Sequence, residues 1–125
     1  KRLTFLRGGQ VWTSGPNGED AKQITFDSTL KTFPTFSRDG SSIAYLTWQP
    51  NDRQEHTRLG PTDLWVVDIA TTLAMRVTAP LSGRINSFDW LDDRTLIFDR
   101  VEQQNELPFF STPRSSLRQL SLMSR

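Results

Sequence analysis

The chain has 125 residues, a formal net charge of +1 and no cysteine. That length supports one domain of ordinary size. The balanced charge excludes a global field for nucleic acid or an acidic membrane, and the missing cysteines exclude disulfides, thiolate metal sites and a Cys nucleophile. No run of 18 apolar residues exists to cross a bilayer as a helix. Leu3–Leu6 reads as a strand, Arg7-Gly8-Gly9-Gln10 as a tight turn, and Val11–Ser14 as the next strand. A loop of turn formers, 15–20, leads to an alternating outer strand over Ala21–Thr25. After a connector from Phe26 to Lys31, an apolar strand runs from Thr32 into Asp39-Gly40. A second strand leaves that turn through Trp48. Gln49–Pro61 is a polar loop. Asp63–Asp68 is the clearest strand, apolar enough to be covered on both faces. Leu73–Thr78 follows, then a connector. Ile85–Trp90 and Thr95–Val101 form another hairpin around Asp92-Asp93. Glu102–Ser116 is a second long insert, and Leu117–Met123 a last strand.

An internal repeat orders these strands. Trp12 and Trp65 stand 53 residues apart, as do Ile24-Thr25 and Val77-Thr78, and Ile43-Ala44-Tyr45 and Leu96-Ile97-Phe98. Phe36 matches Trp90 at 54, Leu64 matches Leu120 at 56, and Leu3-Thr4-Phe5 matches Ile43-Ala44-Tyr45 at 40. The last offset is shorter because the first unit has a tight turn where the second carries the insert from Gln49. Each full unit is four strands, a to d. The expected organisation is strands b-c-d over 1–31, a complete unit over 32–83, its strands spanning about 32–78, and strands a-b-c over 84–125. Four-stranded antiparallel units repeating at roughly 40–50 residues are the signature of propeller blades. A blade buries both faces only between neighbours. Adjacent apolar positions such as Ala44 with Tyr45, and Trp65 with Val66, fit that requirement.

The stretch Pro34-Thr35-Phe36-Ser37-Arg38-Asp39-Gly40-Ser41-Ser42-Ile43-Ala44-Tyr45 resembles the WD-like repeat of TolB-type β-propellers. That pattern is a Pro, an aromatic, Ser-x-Asp-Gly, then an apolar strand with Ala and an aromatic. Asp63–Asp68 and Arg76-Val77-Thr78 look like the rest of the same repeat. The last unit departs from it, with Trp90-Leu91-Asp92-Asp93-Arg94 lacking Ser and Gly, and no Trp in its c strand. The resemblance implies an all-β fold of propeller blades from a larger ring. It also implies a periplasmic or otherwise extracytoplasmic setting, and it implies no reaction. Related propellers accompany prolyl-oligopeptidase-type hydrolases.

The candidate chemistry is sparse. Asp39-Gly40 reads as a hairpin turn rather than a metal site. Asp89, Asp92 and Asp93 lack calcium-loop spacing. His56 is the only histidine, and no Gly-x-Ser-x-Gly elbow is present. No catalytic residue, metal or cofactor is expected, nor any nucleic-acid partner or membrane insertion. Both long inserts are b–c connections of adjacent units, so they are expected on one face of the ring, and long loops on rigid scaffolds are where binding resides. The expected partner-binding residues are Trp48, Arg53, His56, Arg58, Phe109, Phe110 and Arg114. The expected role is a protein-interaction scaffold. The alternatives are the propeller part of a hydrolase, or a carbohydrate or peptide sensor with Trp48 stacked on its ligand. Propellers close with about 4–8 blades, and these units make one full blade and two partial ones. The remaining blades of a larger chain, or self-association, are therefore expected to cover the bare faces. Light scattering on the 125-residue chain checks this: association is the expected outcome, and a clean monomer that unfolds cooperatively contradicts it.

Overall fold

The structure, a computed structural model, describes residues 1–48, 61, 63–78, 84–102 and 114–121, with the backbone alone for 101–102 and 114–121. Ten strands are described, and no helix among them: β1 (Leu3–Arg7), β2 (Gln10–Ser14), β3 (Lys22–Gln23), β4 (Lys31–Phe36), β5 (Ser42–Thr47), β6 (Asp63–Asp68), β7 (Ala74–Arg76), β8 (Arg84–Trp90), β9 (Thr95–Glu102) and β10 (Arg114–Ser121). They form three antiparallel sheets in chain order: β1-β2-β3, β4-β5-β6-β7 and β10-β9-β8. Within each sheet, sequential strands are neighbours, so each is a meander.

The turns follow from local chemistry. Gly8 and Gly9, with φ of 58° and 79°, close the β1–β2 hairpin in a conformation that side chains other than glycine rarely adopt. At the β4–β5 turn, Gly40 (φ 77°) lets its own N–H donate to the Ser37 carbonyl at 2.9 Å. Asp39 Oδ1 accepts from Ser37 Oγ, Ser41 N and Ser41 Oγ at 2.8, 3.0 and 2.8 Å. The Ser41 amide, then the Ser37 and Ser41 hydroxyls, hold this carboxyl below its ordinary range.

The middle sheet is buried on both faces. Ile43 opposite Val67, and Tyr45 opposite Trp65, lie on one face. They pack with Val11 of the first sheet, with Ile24 just beyond β3, and with Ile69. Ala44 opposite Val66, and Leu46 opposite Leu64, lie on the other. These pack with Ile85, Trp90, Leu96 and Phe98 of the third sheet. One β-strand with side chains alternating between faces thus serves two cores. Two bonds reinforce the second interface: Trp90 Nε1 donates to the Thr35 carbonyl at 3.1 Å, and Arg38 donates to the Trp90 carbonyl at 3.4 Å.

The Ile24-Thr25 and Val77-Thr78 landmarks acquire a physical cause. Ile24 N–H donates to the Val11 carbonyl (2.8 Å), and Val11 N–H donates to Thr25 Oγ1 (2.9 Å). In the middle sheet, Val77 N–H donates to the Leu64 carbonyl (2.8 Å), and Leu64 N–H donates to Thr78 Oγ1 (3.1 Å). The threonine hydroxyl takes over where the short d strand ends, so no buried backbone donor is stranded. Thr25 and Thr78 are both buried.

Several boundaries differ from expectation. The d strands shrink to Lys22–Gln23 and Ala74–Arg76, because the threonine bridge replaces ladder pairing beyond them. The second insert is shorter than 102–116: Glu102 pairs with Arg114, Val101 with Ser115 and Arg100 with Ser116. The polar run Arg114-Ser115-Ser116 is recruited into β10 by the ladder of β9, which asks only for backbone groups along a sheet edge. The match of Leu64 to Leu120 is also corrected. Leu117 stands opposite Asp99 as Leu64 stands opposite Leu46, which restores the 53-residue offset, and Arg118 occupies the register position of Trp65.

Tyr45 is 1 % exposed, and its hydroxyl has no hydrogen-bond partner among the described residues. Burial, then the negative charge of Asp27, pushes the phenol far above its ordinary value, so it stays neutral. Tyr45→Phe removes a buried unsatisfied group without changing shape. It is expected to leave stability unchanged or raise it by up to about 1 kcal/mol, read from the urea midpoint at constant slope.

Candidate protein-binding rim

All three b–c connections leave the sheets at one end. In the first sheet this is the Gly8-Gly9 turn. In the second, the Thr47–Asp63 pair closes the excursion; in the third, the Glu102–Arg114 pair does. Short bonds link these ends. The Lys31 ammonium lies 3.3 Å from the Gly9 carbonyl, Trp48 N–H donates to the Leu30 carbonyl at 3.3 Å, and Ile85 N–H donates to the Pro61 carbonyl at 2.7 Å. The rim therefore runs from the first hairpin, past the 26–31 connector and Trp48, to the start of β8.

Lys31 fastens this rim. Its side chain is fully buried, and its Nζ bonds Asp27 Oδ1 at 2.6 Å and the Thr29 carbonyl at 2.9 Å. A buried ammonium is tolerated only when its donors are filled. Asp27 also accepts from Thr29 N and Oγ1 at 3.0 and 2.6 Å. Partial burial alone would raise the Asp27 carboxyl, but the Lys31 and Thr29 hydrogen bonds outweigh it and hold the group below its ordinary 3.8. Gln10 extends the network: it donates to the Asp27 carbonyl and accepts from Thr25 Oγ1.

On this pinned connector two large apolar side chains face water. Phe26 is 65 % exposed and Leu30 49 %. Sequence reading treated 26–31 as a plain connector and missed both. The available signal was a pair of large apolar residues in a turn-rich segment that otherwise has no reason to carry them. Of the expected partner-binding residues, the structure brings half-buried Trp48 to the rim. Arg114 opens β10, with only its backbone described. Arg53, His56, Arg58, Phe109 and Phe110 lie outside the described residues.

Asp92 and Asp68 serve turns. Asp92 accepts the Arg94 amide at 2.8 Å. That amide, then the Thr95 hydroxyl, lowers its carboxyl below the ordinary range. Asp68 accepts the Thr71 amide and hydroxyl at 3.0 and 2.9 Å. Among the described residues, no group of three His, Cys, Asp or Glu side chains is placed to hold a metal ion.

Sheets of this kind, packed face to face with each connection returning to the next sheet, define blades of a β-propeller: one of four strands and two of three. The likeness is to TolB-type propellers. The chain superposes on a protein of Agrobacterium tumefaciens assigned as TolB with a TM-score of 0.62, at 14 % identity, covering 97 % of this chain and 42 % of that one. It superposes on an acylaminoacyl peptidase of Pyrococcus horikoshii with a TM-score of 0.54, at 19 % identity, covering 89 % of this chain and 17 % of that one. The chain thus spans about two fifths and one sixth of those two proteins. No family model and no curated protein matches the sequence.

Lys31→Met strips the Asp27 carboxylate and the carbonyls of Gly9, Asp27 and Thr29 of their cation. The expected loss is about 1–3 kcal/mol at pH 7, the scale of hydrogen bonds to a charged group. Because the Asp27 carboxyl is depressed in the folded chain, its contribution is complete above the ordinary 3.8 and disappears as pH falls through the lower folded value. The variant should therefore lose less stability on acidification than the parent. Urea midpoints at pH 7 and below pH 4 check both.

Proposed function

We propose that this chain is a non-catalytic propeller scaffold that binds another protein through the rim carrying the 49–61 and 102–116 segments. The observation that carries the reading is the exposure of Phe26 and Leu30 on a connector whose backbone is held by buried Lys31. Exposed apolar side chains on a rigid frame suit an interface, where aromatic anchors supply most of the energy and a polar rim excludes water. Trp48 lies on the same rim. Arg53, His56, Arg58, Phe109, Phe110 and Arg114 belong to the same proposal by their place in the b–c connections. The TolB likeness fits an extracytoplasmic, in many cells periplasmic, setting. On this reading the uncovered sheet faces are met by further blades or by a second copy.

The second reading is that these blades belong to a hydrolase and support or gate a catalytic domain. The superposition on the acylaminoacyl peptidase favours it. A Gly-x-Ser-x-Gly elbow in the same reading frame would favour this over the scaffold.

Photo-crosslinking tests the rim. A benzophenone side chain placed at Phe26, Leu30 or Trp48, and as a control at Met75 on the outer β7 edge, is expressed in the source cell. The expected outcome is one discrete protein adduct from the rim positions that Met75 does not give. Equal labelling from the rim and the β7 edge, or none from the rim, counts against the proposal.

A further inference from the structure

We infer that the joint between β4 and β8 holds a slot for an uncharged aromatic side chain of tyrosine type, presented by an extended peptide segment. The slot is a cavity of about 240 Å³ lined by Phe33, Thr35 and Leu46 of the middle sheet and by Asn86, Ser87 and Phe88 of the third. A dry cavity near 150 Å³ takes a benzene-sized ring, so this volume accommodates a phenol with its Cβ. Among the described residues no lining side chain is charged, which disfavours phosphate, carboxylate, ammonium and metal ions alike. Phe33, Leu46 and Phe88 make the apolar walls. Asn86 and Ser87 are exposed and bring donors and acceptors to one edge. An apolar body with one polar tip is the shape of tyrosine.

Phe33 sits in the β4 bulge between Thr32 and Thr35, immediately before Pro34. Its φ of 56° lies in the left-handed region, and its ring is 63 % exposed. A bulky side chain there costs about 1–2 kcal/mol, and this one fills no core in return. Thr35 Oγ1 donates to the Phe33 carbonyl at 3.1 Å and helps hold the turn of the chain. The placement sets a phenyl ring at the lip of the cavity.

The strands on either side point to a peptide as carrier. β4 is the edge of its sheet and β8 the edge of the next. Each carries a register shift at the slot, between Thr32 and Thr35 in β4 and between Ile85 and Ser87 in β8. Edge strands leave outward backbone groups for another chain to pair with. The inference stands apart from the rim reading, since it involves neither Phe26, Leu30 nor Trp48.

Trp90 supplies the probe. Its Nε1–H bonds the carbonyl of Thr35, a lining residue, and its ring is buried. In a proton–nitrogen correlation spectrum of the whole chain, N-acetyl-tyrosinamide is expected to shift the Trp90 indole peak saturably at millimolar concentration. N-acetyl-phenylalaninamide should bind about threefold to tenfold more weakly, the scale of one hydrogen bond. A capped Gly-Tyr-Gly peptide should bind more tightly than the single amino-acid amide. Phe33→Gly removes the ring while suiting the positive φ. The variant should keep or raise the unfolding midpoint and weaken binding at least fivefold. Asn86→Ala, at an exposed position, should erase the preference for tyrosine over phenylalanine. The inference is overturned by the absence of a saturable shift, by equal binding to Phe33→Gly, by no gain from the tripeptide, or by methyl glucoside shifting the peak as strongly as the tyrosine compound.

Discussion

The middle sheet has two dry faces, and everything else in the structure depends on that. Ile43, Tyr45 and Val67 turn one way, and Ala44, Leu46, Leu64 and Val66 turn the other. Burying one such side chain is worth roughly 1.5–3 kcal/mol. Neither face retains that gain unless a neighbouring sheet lies against it. The stacking of blades is thus a requirement of alternation within single strands. Lys22 and Arg76 stand on the outer edge strands, where charge discourages further pairing.

Stacking creates ends as well as faces, and the ends are where the connections gather. The buried Lys31 ammonium binds the 26–31 connector to the Gly9 turn, while the Pro61 carbonyl binds the end of the second blade's long excursion to the third blade. These bonds tie adjacent blades where β-ladders do not reach. The result is a firm rim at the strand ends from which both long excursions leave.

Four aspartates among the described residues are committed to local structure. Asp39, Asp68 and Asp92 each accept hydrogen bonds from residues two or three positions along the chain, and Asp27 does the same while also pairing with Lys31. A carboxylate with its lone pairs committed to its own turn has little left for a substrate or ion. Thr25 and Thr78 show the same economy, each hydroxyl filling the backbone donor that a short d strand leaves unpaired.

Much of this was legible in the sequence because it is local. Asp39-Gly40 and Gly8-Gly9 announce turns through the conformations that only such residues take easily. The spacing of Trp12 to Trp65, and of Ile24-Thr25 to Val77-Thr78, reveals blades because each blade must solve the same packing problem. What the chain by itself did not reveal comes from register between distant strands. Leu117 rather than Leu120 is the counterpart of Leu64, and Arg114 enters β10, because β9 pairs with them residue by residue. Lys31 is buried because Gly9, far away in the chain, supplies one of the carbonyls around it. Phe33 stands beside Asn86, Ser87 and Phe88 because two edge strands from separate blades meet there. Turn chemistry and alternation are properties of neighbouring residues and can be read along a line. Burial, register and cavities arise only when segments about 50 residues apart are brought face to face.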